Sequence, residues 1–560
     1  MKDFTKSCVY QIYPKSFYDS NNDGYGDLKG VIEKLDYIKE LGVDYIWLTP
    51  FYISPQNDNG YDVSDYKNID SRFGTMNDFE KLVKEANKKD IDIMLDMVFN
   101  HTSTEHKWFK EALKGNEKYK NYYIFKNSKD DKAPTNWISK FGGSAWKYVK
   151  EFDEYYLHLF DETQADLNWE NIEVRNEVYD IVNFWIQKGV KGFRLDVINL
   201  ISKPKIYEDD YIGDGRRFYT DGHKIHDYLK ELNKNTFGKY KDIITVGEMS
   251  STNIENCIKY SSEDEKELSM VFNFHHLKVD YKDGQKWSLM DFDFHKLKDL
   301  FDNWQTKMDE KNAWNALFWC NHDQPRIVSR FGDTKKYHKE SAKMLATSIH
   351  LMKGTPYIYQ GEEIGMTNPN FDDINKYKDV ESINIYNEKL EQGISKDNIM
   401  ALIKEKSRDN SRTPIHWNDE INAGFSKSKP WLSISNNYKE INIKNSLEDK
   451  DSIFYHYKKL IKIRKDYDIV SKGDYKILFK EDNNIYAYIR TYEDKMILVM
   501  NNFYAKDYKI NIFEDEFLKQ KFMEQKYKNV EILISNYKDV KKDITNIDLR
   551  PYESIAYLIS

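Results

Sequence analysis

The chain has 560 residues, of which 40% are hydrophobic and 32% are charged. This length predicts more than one domain, and the balance of apolar and charged residues excludes a largely disordered protein. The formal net charge of −8 comes from 85 basic and 93 acidic residues spread along the chain. Without a basic patch or stripe, this composition argues against a nucleic-acid-binding protein.

Cysteine content and hydropathy indicate the cellular compartment. Cys8, Cys257 and Cys320 are too few and too far apart for a disulfide framework or a cysteine-rich zinc site. The first segment, MKDFTKSCVYQIYP, has no apolar signal-peptide core. Nowhere do about eighteen consecutive apolar residues occur, the length that a membrane-spanning helix requires. We therefore expect a cytoplasmic protein that does not bind membranes. The sequence contains no pattern that predicts an oligomeric state.

Short apolar runs rich in β-branched residues alternate with helical patterns along most of the chain, which is typical of βα units and a parallel sheet. Between the first two runs, VIEKLDYIKELG places Val31, Leu35, Ile38 and Leu41 on one helical face, and Gly42 ends the helix. Eight such runs predict an α/β fold, a (β/α)8 TIM barrel. The predicted strands are residues 9–13, 43–48, 91–98, 190–195, 243–246, 270–274, 315–319 and 356–359.

Two departures from this alternation predict two further domains. Roughly seventy residues, many times the length of an ordinary βα loop, separate the third strand from the next helical pattern. Near the end of the chain, runs such as NIYAYIRTY and KMILVMNNF alternate as antiparallel strands do. We predict a barrel of residues 1–100 and 170–475, a small domain of residues 101–169 inserted after strand 3, and a C-terminal antiparallel β-sandwich domain of residues 476–560.

Polar residues cluster directly after the predicted strands, at the end of a barrel where active sites form. A single acid at such a position is more often a turn or cap residue, but three in one cleft cost stability and shift pKa values apart. Catalysis is the usual reason for such an arrangement, and paired carboxylates suit glycoside hydrolysis. The candidates at the strand ends are His101, Arg194, Asp196, Glu248, His322 and Asp323.

These segments resemble glycoside hydrolase family thirteen, the α-amylase superfamily. DMVFNH, QADLNW, GFRLDVIN, VGEM and NHDQPR follow the family's order, and the resemblance covers nearly the whole chain. It implies that Asp196 is the nucleophile, Glu248 the general acid/base and Asp323 the transition-state stabiliser of a retaining α-glucosidase that needs no cofactor for catalysis. It also implies a subsite for the non-reducing glucose, lined by Tyr61, Asp62, His101, Arg194, His322 and Arg412.

Within the superfamily, the chain resembles the oligo-1,6-glucosidase group and most closely its phosphotrehalase branch. DVIN, with Val197 after the nucleophile, resembles members that act on α-1,6 and related linkages. The segments KFGGSAW, GDGRRFYTDG, FHHLKVDY, GQKW and NALFWCNHDQPR resemble the phosphotrehalase branch, which implies trehalose 6-phosphate as the substrate. The alternatives are an isomaltase or a sucrose-processing α-glucosidase and, less consistent with three intact acids, a non-catalytic binding subunit.

A phosphorylated substrate requires cations beside the leaving-group sugar. Lys278 and Lys286, after the sixth strand, and Arg217, in GDGRRFYTDG, are the candidates, and a solvated surface cation is the alternative for each. His223 stands in TDGHKIH where the resemblance leads us to expect proline. This departure leaves the conformation of the loop, and the direction of Arg217, open.

The segment DSNNDGYGD places oxygen-bearing side chains at alternate positions around glycines, a pattern typical of calcium loops. The resemblance to the superfamily implies a calcium or magnesium ion here, with the carbonyl of Tyr25 as one ligand. Because nothing places this segment at the reaction centre, we expect a structural role, and a metal-free polar turn is the alternative. The candidate ligands are Asp19, Asn21, Asp23, Tyr25 and Asp27.

Overall fold

A computed structural model of the chain describes residues 2–130, 132–524 and 529–560. Eight parallel strands form its central sheet: β1 (Val9–Ile12), β2 (Tyr45–Leu48), β3 (Asp92–Val98), β4 (Gly192–Asp196), β5 (Ile244–Glu248), β6 (Met270–Phe272), β7 (Ala316–Leu317) and β8 (Thr355–Tyr359). Their order is β6-β5-β4-β3-β2-β1-β8-β7. A parallel bridge between Val271 and Asn315 closes the circle, which confirms the predicted barrel.

Two barrel strands end later than predicted, and both end in a predicted catalytic acid. The fourth and fifth strands each extend beyond their predicted ends, so that Asp196 and Glu248 are the last residues of β4 and β5. Asp196 pairs with Val98 of β3, and Glu248 pairs with Phe272 of β6. Both acids therefore project from backbone that the sheet holds rigidly.

The main helices that pack around the barrel strands or follow them are α1 (Leu28–Glu33), α2 (Leu35–Leu41), α3 (Met76–Lys88), α4 (Ile172–Gln187), α5 (Ile225–Asn235), α6 (Ile254–Ser261), α7 (Phe294–Glu310), α8 (His338–His350) and α9 (Ile453–Asp466). In α3, Thr75 and Asp78 form a reciprocal capping box, and Phe79, Leu82 and Ala86 bury one face. Over the three described ranges, no helix combines the length and the apolar character needed to cross a membrane.

The connection between β3 and α4 has its own core. Its tryptophans Trp137 and Trp146 pack with Val197 and Tyr219, which lie in the connection after β4. The inserted segment therefore stands against the carboxyl end of the barrel. It contains helices Lys107–Leu113 and Glu117–Lys120, an antiparallel sheet of Phe125–Asn127, Glu154–Leu157 and Trp146–Val149, and a pair of strands, His101–Ser103 and Gln164–Asp166.

The segment between β8 and the C-terminal strands is helical, and its first part covers the carboxyl end of the barrel beside β8. Apart from α9, its helices are Val380–Glu391, Lys396–Lys406, Asp409–Arg412, Ile443–Glu448 and Asp468–Lys472. Shorter elements elsewhere are the strands Tyr52–Ile53 and Asp65–Ile69 and the helices Arg216–Tyr219 and Ile327–Phe331.

The C-terminal part is an antiparallel β-sandwich, as predicted. Its strands are β9 (Asp474–Leu478), β10 (Ile485–Tyr492), β11 (Lys495–Asn502), β12 (Tyr508–Asn511), β13 (Val530–Ser535), β14 (Asn546–Leu549) and β15 (Ser554–Ile559), with a helix at Glu516–Glu524. One sheet has the order β9-β10-β11-β15-β13, and β12 pairs with β14. Leu498 and Met500 of the larger sheet pack with Ile510 and Ile547 of the smaller one.

Candidate active site

A cleft with a cavity volume of about 230 Å³ opens at the carboxyl end of the barrel strands. This volume is near the lower end of the range of small-molecule sites. All three predicted catalytic acids, Asp196, Glu248 and Asp323, line it. The other lining residues are Asp58, Tyr61, His101, Lys140, Phe141, Phe160, Val197, Ser250, Ser251, Phe274, Lys278, Lys286, Gln324, Glu381 and Arg408.

Arg194 lies beneath the cleft and joins its acids. Because side chains alternate along a strand, Arg194 and Asp196 project from the same face of β4. Nη1 of Arg194 donates to Oδ1 of Asp196 at 2.6 Å and to Oδ1 of Asp96 at 2.7 Å. Nη2 of Arg194 contacts the carboxylate of Glu248. One guanidinium, only 1% exposed, therefore fixes Asp196 and Glu248 relative to each other.

The surroundings of Asp196 set its charge. Burial raises the pKa of Asp196 to about 6, and the Asp96 carboxylate acts in the same direction, whereas Arg194 lowers this pKa. Asp196 is therefore mostly ionised at neutral pH, the state in which a carboxylate attacks carbon. Its side chain is nearly buried but still reaches the cleft, which leaves it accessible to a bound sugar.

Asp323 is held ionised by the cations around it. Nη2 of Arg412 donates to Oδ1 of Asp323 at 2.5 Å, and Nη1 of Arg408 lies 3.7 Å from the same oxygen. Burial alone would raise the pKa of Asp323, but the guanidinium groups of Arg408 and Arg412 hold it well below its usual range. Asp323 is therefore an ionised carboxylate at neutral pH.

The two histidines are neutral. Burial lowers the pKa of His322 to about 3 and also lowers that of His101. The amide nitrogen of Gln11 lies 2.8 Å from Nδ1 of His322, so Nδ1 accepts and the ring proton is on Nε2, which faces Asp323 at 3.5 Å. The His322 ring stacks on Tyr61, with 5.1 Å between the ring centroids. A neutral ring that donates toward the cleft suits contact with sugar hydroxyls.

Comparisons with known proteins agree with this geometry. Residues 11–473 match the family described as alpha amylase, catalytic domain, and residues 485–556 match the alpha-amylase SusG C-terminal domain. The chain belongs to the α-amylase family. The resemblance stated from the sequence motifs is thereby confirmed.

Individual relatives within the α-amylase family match along nearly their whole length. The chain is 54% identical over 557 residues to the trehalose-6-phosphate hydrolase of Bacillus subtilis (strain 168), covering 99% of this chain and 98% of that one. It is 48% identical over 560 residues to the oligo-1,6-glucosidase of Bacillus cereus, covering 99% and 98%. The crystal structure of Bacillus licheniformis trehalose-6-phosphate hydrolase, 55% identical, superposes with a TM-score of 0.94 and covers 100% of this chain and 99% of that one.

Asp62 does not take the place that the resemblance to the α-amylase family implied. It lies behind the cleft wall, where its carboxylate accepts from the hydroxyl of Ser54 and the backbone N–H of Asn57, each at 2.8 Å. These bonds fold the loop so that Asp58, four residues earlier, lines the cleft and pairs with Arg408 at 3.0 Å. Sequence reasoning missed Asp58, although it belongs to the same segment, DNGYD.

Arg412 supports the cleft from behind. Its guanidinium is fully buried, and its Nε donates to the carbonyl of His322 at 2.9 Å. The arginine four residues earlier, Arg408, lines the cleft between Asp58 and Asp379, the latter at 2.6 Å. Arg194 and His322 also lie beneath the cleft surface, whereas Tyr61 and His101 line it as predicted.

The three predicted phosphate-binding cations separate in the structure. Lys278 and Lys286 line the cleft, but Arg217 does not. The side chain of Arg217 is 51% exposed, and its Nε pairs with Asp210 at 3.1 Å. Nζ of Lys286 pairs with Oε2 of Glu381 at 2.6 Å. A fourth cation, Lys140 in the segment KFGGSAW, lines the cleft and was not predicted.

His223 does not disturb its loop. It is exposed and precedes α5. The preceding residues set the conformation: Asp221 accepts from the hydroxyl of Tyr260 at 2.6 Å, among other donors. Gly222 packs so tightly that a Cβ there would lie 2.0 Å from the carbonyl oxygen of Ser202. The loop therefore does not depend on proline at position 223.

The predicted metal loop is folded by its own hydrogen bonds. The carboxylate of Asp19 accepts backbone N–H groups of residues 21–24 at 2.6–3.3 Å, and Asp23 accepts from the N–H of Tyr25 and the amide of Asn21. Asp27 instead caps α1. Within the described part of the chain, no three acidic, histidine or cysteine side chains are arranged to hold a metal. The donor types suit a hard cation, but Asp27 does not join them, and the ion remains a prediction.

We predict that Asp196→Asn lowers kcat/KM for an aryl α-glucoside by about 10⁴-fold or more, because the amide cannot act as the nucleophile. The matched control is Asp180→Asn, an exposed acid on α4 that pairs with Lys67. Circular dichroism and thermal unfolding check that both variants fold. Wild-type-like turnover by folded Asp196→Asn would contradict the assignment.

Proposed function

We propose that the chain is a retaining α-glucosidase that hydrolyses trehalose 6-phosphate to glucose and glucose 6-phosphate. The observation that carries this proposal is the composition of one cleft, which holds three acids suited to glycoside hydrolysis and three lysines, Lys140, Lys278 and Lys286. An unphosphorylated glucoside presents no anion for such lysines. The trehalose-6-phosphate hydrolases of Bacillus subtilis and Bacillus licheniformis, similar over their full length, support the same substrate.

In the proposed reaction, one carboxylate oxygen of Asp196 attacks the anomeric carbon of the non-reducing glucose. The bond to the bridging oxygen breaks as Glu248 protonates that oxygen, so glucose 6-phosphate leaves and a glucosyl ester forms on Asp196. Glu248, now a carboxylate, takes a proton from water, which attacks the same carbon from the opposite side. Two inversions release glucose in the α configuration.

The remaining residues of the cleft stabilise the charge that develops on the sugar. Asp323, ionised throughout, lies where a carboxylate can accept sugar hydroxyls and oppose the positive charge of the oxocarbenium-like transition state. Arg194 holds Asp196 in place while it is the attacking anion. Asp58 and Arg408, paired at the cleft wall, offer an acceptor and a donor to the outer hydroxyls of the same glucose.

The second candidate is an α-glucosidase for an unphosphorylated substrate such as isomaltose. The similarity to the oligo-1,6-glucosidase of Bacillus cereus favours it. All of the acid chemistry above applies equally to that reaction, so only the cations separate the two functions. The proposal also includes a cytoplasmic location, which the three unpaired, buried cysteines support.

We predict that the purified protein releases glucose from trehalose 6-phosphate with a kcat/KM at least about tenfold higher than from trehalose, since a phosphate contact with a lysine contributes on the order of 1.5–3 kcal/mol. Isomaltose and sucrose, measured side by side, are the comparison substrates. A preference for isomaltose would keep the catalytic assignments and remove the phosphate from the function. Release from none of the four would contradict an α-glucosidase.

For the loop of residues 19–27, we propose a structural calcium or magnesium ion that is not used in catalysis. Ion binding to the folded state alone raises stability by about 2.7 kcal/mol at a hundredfold excess over Kd. We predict that CaCl2 added after EDTA treatment raises the Tm of the wild type but not that of Asp23→Ala. Asp36→Ala, at an exposed acid of α2, is the control. Equal Tm values with and without the ion would leave the loop as a metal-free turn.

A further inference from the structure

We propose that Asp221 is a positioning residue for the reaction: acting through Asn199 and the turn after β5, it holds Glu248 where this acid can protonate the leaving oxygen. The inference rests on the proposed function, because it takes Glu248 as the general acid/base. Asp221 lies in the connection between β4 and α5, outside the set of residues that line the cleft. It therefore acts on the substrate only through other residues.

The carboxylate of Asp221 accepts hydrogen bonds from four side chains. Its Oδ1 accepts from the hydroxyl of Tyr260 at 2.6 Å and from the amide of Asn199 at 2.9 Å. Its Oδ2 accepts from the hydroxyl of Thr252 and the amide of Asn256, each at 2.8 Å. These donors lie in the turn after β4, in the turn after β5 and in α6. One carboxylate thus joins the connections that follow β4 and β5, the two strands that end in the acids of the proposed mechanism.

Asn199 links this carboxylate to the backbone just beyond Glu248. Its side chain is fully buried and forms two hydrogen bonds with the backbone of Ser250. Oδ1 of Asn199 accepts from the N–H of Ser250, and Nδ2 donates to the carbonyl of Ser250, each at 2.9 Å. The N–H of Asp221 donates to the carbonyl of Asn199 at 3.0 Å, which joins these two residues a second time. Because Ser250 is two residues beyond Glu248, these bonds fix the backbone that carries the acid.

The turn after β5 has a shape that needs support from outside. Met249 is still held by the barrel, since its N–H donates to the carbonyl of Phe272 at 3.1 Å. Ser251 takes a left-handed conformation with φ of 56°, which costs a serine about 1–2 kcal/mol. Ser250 and Ser251 line the cleft, so the bonds described above hold the turn from its other side. Without them the turn should relax, and the side chain of Glu248 should move with it.

The turn after β4 is held independently of Asp221. Residues Ile198–Leu200 form a helical turn there, and Val197 is buried in the core of the inserted segment. The guanidinium beneath the cleft also pairs directly with the carboxylate of Asp196. Loss of Asp221 should therefore displace Glu248 more than Asp196. We expect slower protonation of the leaving group with little change in nucleophilic attack.

The test compares kcat/KM for two substrates that differ in their leaving groups. The phenol of phenyl α-glucoside needs a proton to leave, whereas the fluoride of α-glucosyl fluoride does not. Asp221→Asn keeps the size of the side chain but places an NH2 group against donors. It should lower kcat/KM for phenyl α-glucoside by about 10- to 100-fold, the effect of a misplaced general acid, and kcat/KM for α-glucosyl fluoride by less than about threefold.

Three further variants calibrate this result. Glu248→Gln sets the largest dependence on the leaving group that loss of the acid can produce. Asp227→Asn, at an exposed acid of α5, is the matched control and should change both values by no more than about twofold. Asn199→Ala should show the same selectivity as Asp221→Asn. Combining the two should add little, because both changes break the same chain of bonds.

The second step of the reaction gives a readout that a purely structural role would not change. In the proposed mechanism Glu248 activates the water that hydrolyses the glucosyl ester. The kcat of Asp221→Asn on α-glucosyl fluoride should therefore fall although its kcat/KM does not. Azide, which attacks without a base, should raise this kcat in Asp221→Asn and have little effect on the wild type.

The possible outcomes separate this inference from the proposed function. An equal loss for both substrates, or no loss for either, would mean that Asp221 does not position the acid, and the proposed function would stand. If Glu248→Gln shows no dependence on the leaving group, or the wild type hydrolyses neither substrate, both proposals fail. If Asp221→Asn does not fold, Thr252→Val replaces it. That variant removes one donor to Asp221 and should show the same selectivity between the two substrates.

Discussion

The site depends on one buried guanidinium that contacts three carboxylates. Arg194 contacts Asp96, Asp196 and Glu248 from a position that is only 1% exposed. Three acids so close together would otherwise repel one another and take up protons, and Asp196 would lose its charge. Removal of one partner from a buried charge pair costs about 3–5 kcal/mol of folding free energy. Loss of Arg194 would therefore destabilise the folded protein as well as the site.

The charges around the cleft are unevenly distributed. Beside Asp323, the carboxylates of Asp58, Asp323 and Asp379 pair with the guanidinium groups of Arg408 and Arg412. Beside Glu248, Lys140 donates to Ser250, and Lys140 and Lys278 line the cleft. Paired acids and guanidinium groups suit a neutral sugar held by hydrogen bonds, whereas lysines suit an anionic group on the substrate. This difference connects the architecture to the proposed phosphorylated disaccharide.

Much of this was predictable from the sequence, and what was not has identifiable physical causes. Apolar periodicity located all eight barrel strands, and strand-end motifs located the three acids, since these depend on local pattern. Motifs did not predict which side chain of a loop faces the cleft. Asp62 accepts hydrogen bonds from its own loop, whereas Asp58 lines the cleft. Lys140 escaped prediction because its position in the cleft depends on contact between segments far apart in the chain. Val197, interpreted from the sequence as a marker of α-1,6 and related linkages, takes a left-handed conformation with φ of 36°, which no motif predicted.

The most direct test of the account is to trap the intermediate on its nucleophile. Glu248→Gln, supplied with an α-glucoside whose leaving group needs no proton, should form the glucosyl ester but hydrolyse it slowly, because no base activates water. Digestion and mass spectrometry should then find one hexose on the peptide that contains Asp196, and added azide should release it as an α-glucosyl azide, because its attack on the β-linked ester is the second inversion. A hexose on another residue, or no adduct together with direct release of β-glucose by the wild type, would contradict a retaining mechanism through Asp196.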